Sequence, residues 1–208
     1  MRSPNFDLYL VTDRNQTGGR DLVRVLERAL EGGARAVQLR EKDLAGRELF
    51  VLAEKTKRLC ERYQANLFIN DRVDVALGVD AEGVHLGGDA MPVRAARELL
   101  GAEKLIGVST HSIKEAREAE QEKADFILFG PVYFTPSKAA YGNPQGLGRL
   151  KEVVEKVSLP VYAIGGVKVG NIAEVKGTGV RGIALISAIL SAGDPGGAAQ
   201  EILKAWGQ

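Results

Sequence analysis

Short β-branched apolar runs alternate with longer amphipathic stretches from one end of the chain to the other. The runs DLYLVT (7–12), AVQLR (36–40), LFIN (67–70), GVHL (83–86), LIGVS (105–109), FILFG (126–130), VYAIGG (161–166) and GIALIS (182–187) read as strands. Each is followed by a stretch with helical periodicity: DLVRVLERALEGG, GRELFVLAEKTKRLCERY, VDVALGV, PVRAARELLG, SIKEAREAEQEK, LGRLKEVVEKV, VGNIAEVKGTG and GGAAQEILKAW. In the first of these, Leu22, Val25, Leu26 and Leu30 recur three and four residues apart. Asp21 is placed to cap that helix and Gly32–Gly33 to end it. VDVALGV reads as the shortest helix of the series.

Strict strand–helix alternation predicts a parallel sheet covered by helices, an α/β fold. Eight such units in 208 residues predict closure into a single-domain (β/α)8 TIM barrel spanning 1–208, with an open doubly wound sheet as the competing arrangement. Composition narrows the function. Lys and Arg (28) nearly balance Asp and Glu (27), for a net charge of +1, so nothing steers the whole molecule to nucleic acid or an anionic membrane. No apolar run approaches the roughly 20 residues needed to cross a bilayer, and MRSPNFDLYLVTD has no signal-peptide pattern. The lone cysteine, Cys60, reads as a packing residue on a helix and suits a reducing compartment; the expectation is a cytoplasmic protein. The pattern leaves oligomeric state open, a homo-oligomer included.

Barrel chemistry sits at the C-terminal ends of the strands. Those positions hold Gln38, Arg40, Glu41 and Lys42; Asn70, Asp71 and Arg72; His85 and Asp89; Ser109, Thr110 and His111; Thr135, Ser137 and Lys138; Gly165 and Gly166; and Ser187. Individual residues have plain structural readings: Arg40 pairing Glu41, Asp71 pairing Arg72 or capping the next helix. As a set, Arg40, Lys42 and Lys138 outnumber Asp71 and Asp89, which suits an anionic ligand. Gly165–Gly166 with Ser187 before the last helix matches the barrel phosphate site. Cations beyond one phosphate suggest a diphosphate, which usually arrives with Mg²⁺; Asp71 is the leading metal ligand. Alternation puts His85 on the face of Gly83 and Gly87, where small neighbours leave room for a structural imidazole at the barrel wall.

The segments VQLREKD, FINDRVDVALGVDAEGVHLG, IGVSTHS, ADFILFGPVYFTPSK, AIGGV and RGIALISAIL resemble the thiamine-phosphate synthase family, which includes thiazole tautomerase paralogues, in order and spacing over essentially the whole chain. The resemblance implies an enzyme of small phosphorylated substrates. It would join 4-amino-5-hydroxymethyl-2-methylpyrimidine diphosphate to a thiazole phosphate or its carboxylated form, releasing diphosphate. It further implies that Gln38, Arg40 and Lys42 hold the pyrimidine diphosphate beside Asn70, and that Asp71 ligates Mg²⁺. Ser109 and Lys138 would contact the diphosphate, Lys138 supporting its departure. Thr135 and Ser137, with Gly166, Ile186 and Ser187, would hold the thiazole phosphate.

One segment departs from the pattern. The family reads H-x-G-Q-E-D after strand four, its last residue serving the metal, whereas this chain reads HLGGDAMP. That position is Ala90, and Asp89 is the nearest carboxylate. Three alternatives follow. A thiazole tautomerase would use His111; a Schiff-base aldolase would use Lys138, though its polar loop does not suit a desolvated amine; a non-enzymatic barrel would bind precursors without turning them over. Arg40, Lys42, Asp71 and the T-P-S-K pattern favour the synthase.

Overall fold

The structure is a computed structural model describing residues 3–135 and 143–207. Eight parallel strands, β1 (Leu8–Val11), β2 (Ala36–Leu39), β3 (Asn66–Asn70), β4 (Gly83–Leu86), β5 (Leu105–Thr110), β6 (Phe126–Phe129), β7 (Val161–Ile164) and β8 (Gly182–Leu185), follow one another around a closed barrel. Closure is explicit in the register: β1 pairs with β2 through Tyr9 and Ala36, and with β8 through Tyr9 and Ala184. The helices are α1 (Leu22–Glu31), α2 (Gly46–Arg62), α3 (Val73–Gly78), α4 (Val93–Leu100), α5 (Ile113–Gln121), α6 (Gly146–Lys156), α7 (Ile172–Lys176), α8 (Ser187–Leu190) and α9 (Pro195–Trp206). The Asp21 side chain accepts from the Arg24 N–H at the start of α1, and the helix stops at Gly32, as the pattern predicts. Two expectations change. VDVALGV is not the shortest helix, since α3 has six residues and α7 five, and a separate four-residue α8 stands between β8 and the last helix.

Strand residues alternate between two cores. Outward side chains meet the helices, and a separate inner cluster fills the barrel. Phe6 closes the N-terminal end, its ring 5.1–5.9 Å from those of Tyr9, Phe68, Phe126 and Tyr162. The Tyr162 hydroxyl donates to the Phe6 carbonyl at 2.8 Å, which satisfies a phenol buried among rings. These large rings fit because a neighbouring strand supplies glycine. A methyl added at Gly107 would lie 2.4 Å from the Phe126 ring and 2.5 Å from Nδ1 of His85; one at Gly182 would lie 2.6 Å from Tyr162. The aromatic layer leaves the C-terminal end as the open, polar mouth.

Candidate active site

At the mouth, β1 and β2 are locked together by a buried carboxylate. Glu41, with a side chain 1% exposed, accepts from the Thr12 hydroxyl at 2.6 Å, from the Arg14 N–H at 3.1 Å and from Arg14 Nη1 at 3.2 Å. Arg14 also grips Asp43 with both terminal nitrogens, at 2.5 and 2.7 Å, holding its own charge firmly and the Asp43 carboxyl below its usual range. The Thr12 hydroxyl in turn accepts from the Arg40 N–H at 2.8 Å. Glu41 therefore pairs with Arg14, not with Arg40. The Arg40 side chain has no hydrogen-bond or ion-pair partner among the described residues, and its charge is felt at His85. Lys42 is exposed beside it. Gln38 is buried inside the barrel, its amide nitrogen 3.4 Å from the Tyr9 hydroxyl.

Asp71 lies at the exit of β3 with φ +58°, a left-handed conformation that aspartate tolerates better than most residues. Its backbone N–H donates to the His85 carbonyl at 2.9 Å. One carboxylate oxygen accepts from the Gly87 N–H at 2.7 Å and the other from the Asn70 amide at 2.8 Å. Both plain readings of Asp71 fail: Arg72 pairs with Asp74 instead, and α3 has no side-chain cap. Each Asp71 oxygen keeps a lone pair beyond its one hydrogen bond. Just after β4 the Ala90 N–H closes a turn onto the Gly87 carbonyl at 3.1 Å; Ala90 packs against the core, while Asp89 is exposed. Among the described residues no group of three or more His, Cys, Asp or Glu side chains forms a metal cluster.

Gly165 and Gly166 make room for a neighbouring loop. Both have positive φ (97° and 67°), and an added methyl at either would lie 2.6 Å from the loop after β6, at Pro131 and Tyr133. That loop zips onto β7, Val132 N–H to the Ile164 carbonyl and Tyr133 N–H to the Gly165 carbonyl, both at 2.9 Å. Its last described residue before position 136 is Thr135, whose hydroxyl is buried without a hydrogen-bond partner among the described residues. Ser137 and Lys138 lie outside the described residues. Ile186 is half-buried between β8 and α8, and Ser187 is the exposed first residue of α8. The far end of α8 is tied to the β1–α1 connection: Arg20 donates to the Leu190 carbonyl at 2.7 Å. The residues that sequence reasoning missed are thus Thr12, Arg14, Arg20 and the link from His85 to Ser109, at 3.0 Å between Nε2 and Oγ. The expectation put His85 on the face of Gly83 and Gly87 at the barrel wall; its ring points into the barrel, toward that serine.

The profile of the family described as thiamine monophosphate synthase matches residues 8–189. The chain belongs to that family. A Geobacter sulfurreducens protein named provisionally as a thiamine-phosphate synthase is 54% identical over 203 residues, covering 98% of this chain and 95% of that one. The thiamine-phosphate synthase of Clostridium novyi is 44% identical over 198 residues, 95% of this chain and 97% of its own. The solved thiamine phosphate pyrophosphorylase of Pyrococcus furiosus superposes with a TM-score of 0.88 at 42% identity, covering 96% of this chain and 95% of that one. In this family member, the tautomerase alternative finds no support in the relatives' names. His111 is exposed, with Nδ1 2.5 Å from the Gly130 carbonyl.

Proposed function

We propose that the chain is a thiamine-phosphate synthase, joining the pyrimidine diphosphate to the thiazole phosphate and releasing diphosphate. The observation that carries this reading is the set at the mouth: an Arg40 side chain without a partner among the described residues, its backbone held by the Thr12–Glu41–Arg14 lock, and an oriented Asp71 carboxylate on the neighbouring strand exit. The scissile C–O bond breaks with its electron pair leaving on the diphosphate. The 4-amino group of the pyrimidine stabilises the resulting exocyclic cation, and the thiazole nitrogen supplies the pair for the new C–N bond. No protein nucleophile is needed. The residues bind, neutralise leaving-group charge and align two rings.

In this reading Gln38 and Asn70 orient the pyrimidine diphosphate, while Arg40 and Lys42 take its charge, with Ser109 and Lys138. Thr135 and Ser137, together with Gly166, Ile186 and Ser187, hold the thiazole phosphate; the unpartnered Thr135 hydroxyl is suited to a phosphate oxygen. The donor set fits Mg²⁺, since hard carboxylate oxygens are available and substrate oxygens complete the shell. Asp71 would be the first ligand and Asp89 the second. When bound, the ion would offset charge on the departing diphosphate. A cytoplasmic location and small phosphorylated substrates accord with this activity, and no helix among the described residues is long and apolar enough to cross a membrane.

The test is turnover with both substrates and Mg²⁺, compared across wild type, Asp71→Asn and Asp89→Ala. Turnover lost on chelation, nearly abolished by Asp71→Asn, and needing more Mg²⁺ in Asp89→Ala is expected. An Asp89→Ala enzyme with an unchanged Mg²⁺ requirement removes Asp89 from the metal site.

A further inference from the structure

His85 is the one imidazole inside the barrel, 1% exposed and ringed by Tyr9 and Phe126 at centroid distances of 5.8 and 5.9 Å. Its two nitrogens have unequal surroundings. Nε2 is 3.0 Å from the Ser109 hydroxyl oxygen. Nδ1 is fully buried without a hydrogen-bond partner among the described residues and faces the bare Cα of Gly107. A neutral imidazole carries one proton, and its placement is set by what each nitrogen meets. A proton on Nδ1 would be a buried N–H with no acceptor, which proteins avoid more strictly than a buried lone pair.

We propose that His85 is a positioning residue: it is held as the Nε2–H tautomer, donates to Ser109 Oγ, and so turns the Ser109 hydroxyl hydrogen outward as a donor to the substrate's diphosphate. This rests on the synthase reading for the identity of the anion. Had the proton been on Nδ1, Nε2 would accept from Ser109 and consume the only hydrogen that serine has to offer. Burial, with the nearby charge of Arg40 adding to it, pushes the His85 pKa down to about 3, so a doubly protonated ring does not compete at neutral pH. The arrangement couples an aromatic core layer to the mouth: His85 is paired in register with Gly107, and Ser109 is the next inward residue on β5.

The chain has two histidines, and they furnish their own comparison. His111 Nδ1 faces a carbonyl, which can only accept, so neutral His111 carries its proton on Nδ1. Long-range ¹H–¹⁵N correlation spectra of histidine-labelled protein, assigned with His111→Gln, should therefore show one tautomer of each kind. An Nδ1–H pattern for His85 overturns the proposal. The second measurement is calorimetric binding of inorganic diphosphate with Mg²⁺, which needs no turnover. Ser109→Ala and His85→Leu should each weaken it about tenfold. The double variant should bind no worse than Ser109→Ala, and His85→Gln, which keeps an N–H donor, should bind within about threefold of wild type. Additive losses in the double variant, or a folded His85→Leu that binds like wild type, would overturn it. If wild type binds diphosphate with this coupling yet makes no thiamine phosphate, the relay stands and the synthase reading falls.

Discussion

A single neutral ring at the centre of the barrel has a cost that depends on pH. Below about pH 6.5 the unfolded chain protonates His85 while the folded chain refuses the proton down to about pH 3. The unfolded state then binds more protons, so stability contributed at neutral pH is lost as pH falls through that window, by up to about 1.4 kcal/mol per unit. His85→Gln should show the compensating behaviour: its stability relative to wild type is constant above pH 7 and improves as pH drops from 6.5 to 5, as read from urea unfolding. A constant difference over that range would mean the buried ring charges freely. Gly107→Ala tests the space beside it, since the new methyl would meet both Phe126 and His85; overpacking of this kind costs about 1–3 kcal/mol. Strand alternation made legible that His85 shares a face with the small Gly83 and Gly87. Its partner was not legible, because that requires the register between β4 and β5.

Between elements, the mouth is built by contacts that join neighbouring loops. Arg14 and Glu41 are 27 residues apart and meet only once β1 and β2 are paired. From the sequence alone Glu41 has a nearer candidate in Arg40, which hides the lock and leaves only a surplus of cations at the rim to be read. Arg14→Ala should reduce stability by about 1–3 kcal/mol, because Glu41 keeps the Thr12 hydroxyl and the backbone N–H but loses its cation. It should also raise KM for the pyrimidine diphosphate in steady-state assays, with Arg14→Lys intermediate. Similarly, Gly166→Ala forces a left-handed alanine against Tyr133 and displaces the loop that carries Thr135; KM for the thiazole phosphate should rise about tenfold in a protein that still folds. The short α8 was hidden for a related reason. SAIL continues an apolar strand pattern without a break, and the helix is fixed from outside by Arg20 on its last carbonyl, that of Leu190.

For the molecule as a whole, the barrel was legible because every strand is short, apolar and followed by a helical stretch, which gives the strand order but not the register. The anionic character of the mouth's ligand was legible as a surplus of cations. The metal ligands were less so, because HLGGDAMP turns Ala90 inward and leaves Asp89 exposed, an orientation that spacing does not specify. The account's central claim is that this mouth releases diphosphate from a pyrimidine ester and passes the pyrimidinylmethyl group to the thiazole nitrogen. Its most direct test is the purified protein with both substrates and Mg²⁺, followed by chromatography of the products. Thiamine phosphate and diphosphate should appear in equal amounts, and neither should form in Arg40→Ala at a comparable rate. A folded wild type that forms no thiamine phosphate with Mg²⁺ or Mn²⁺ would contradict it.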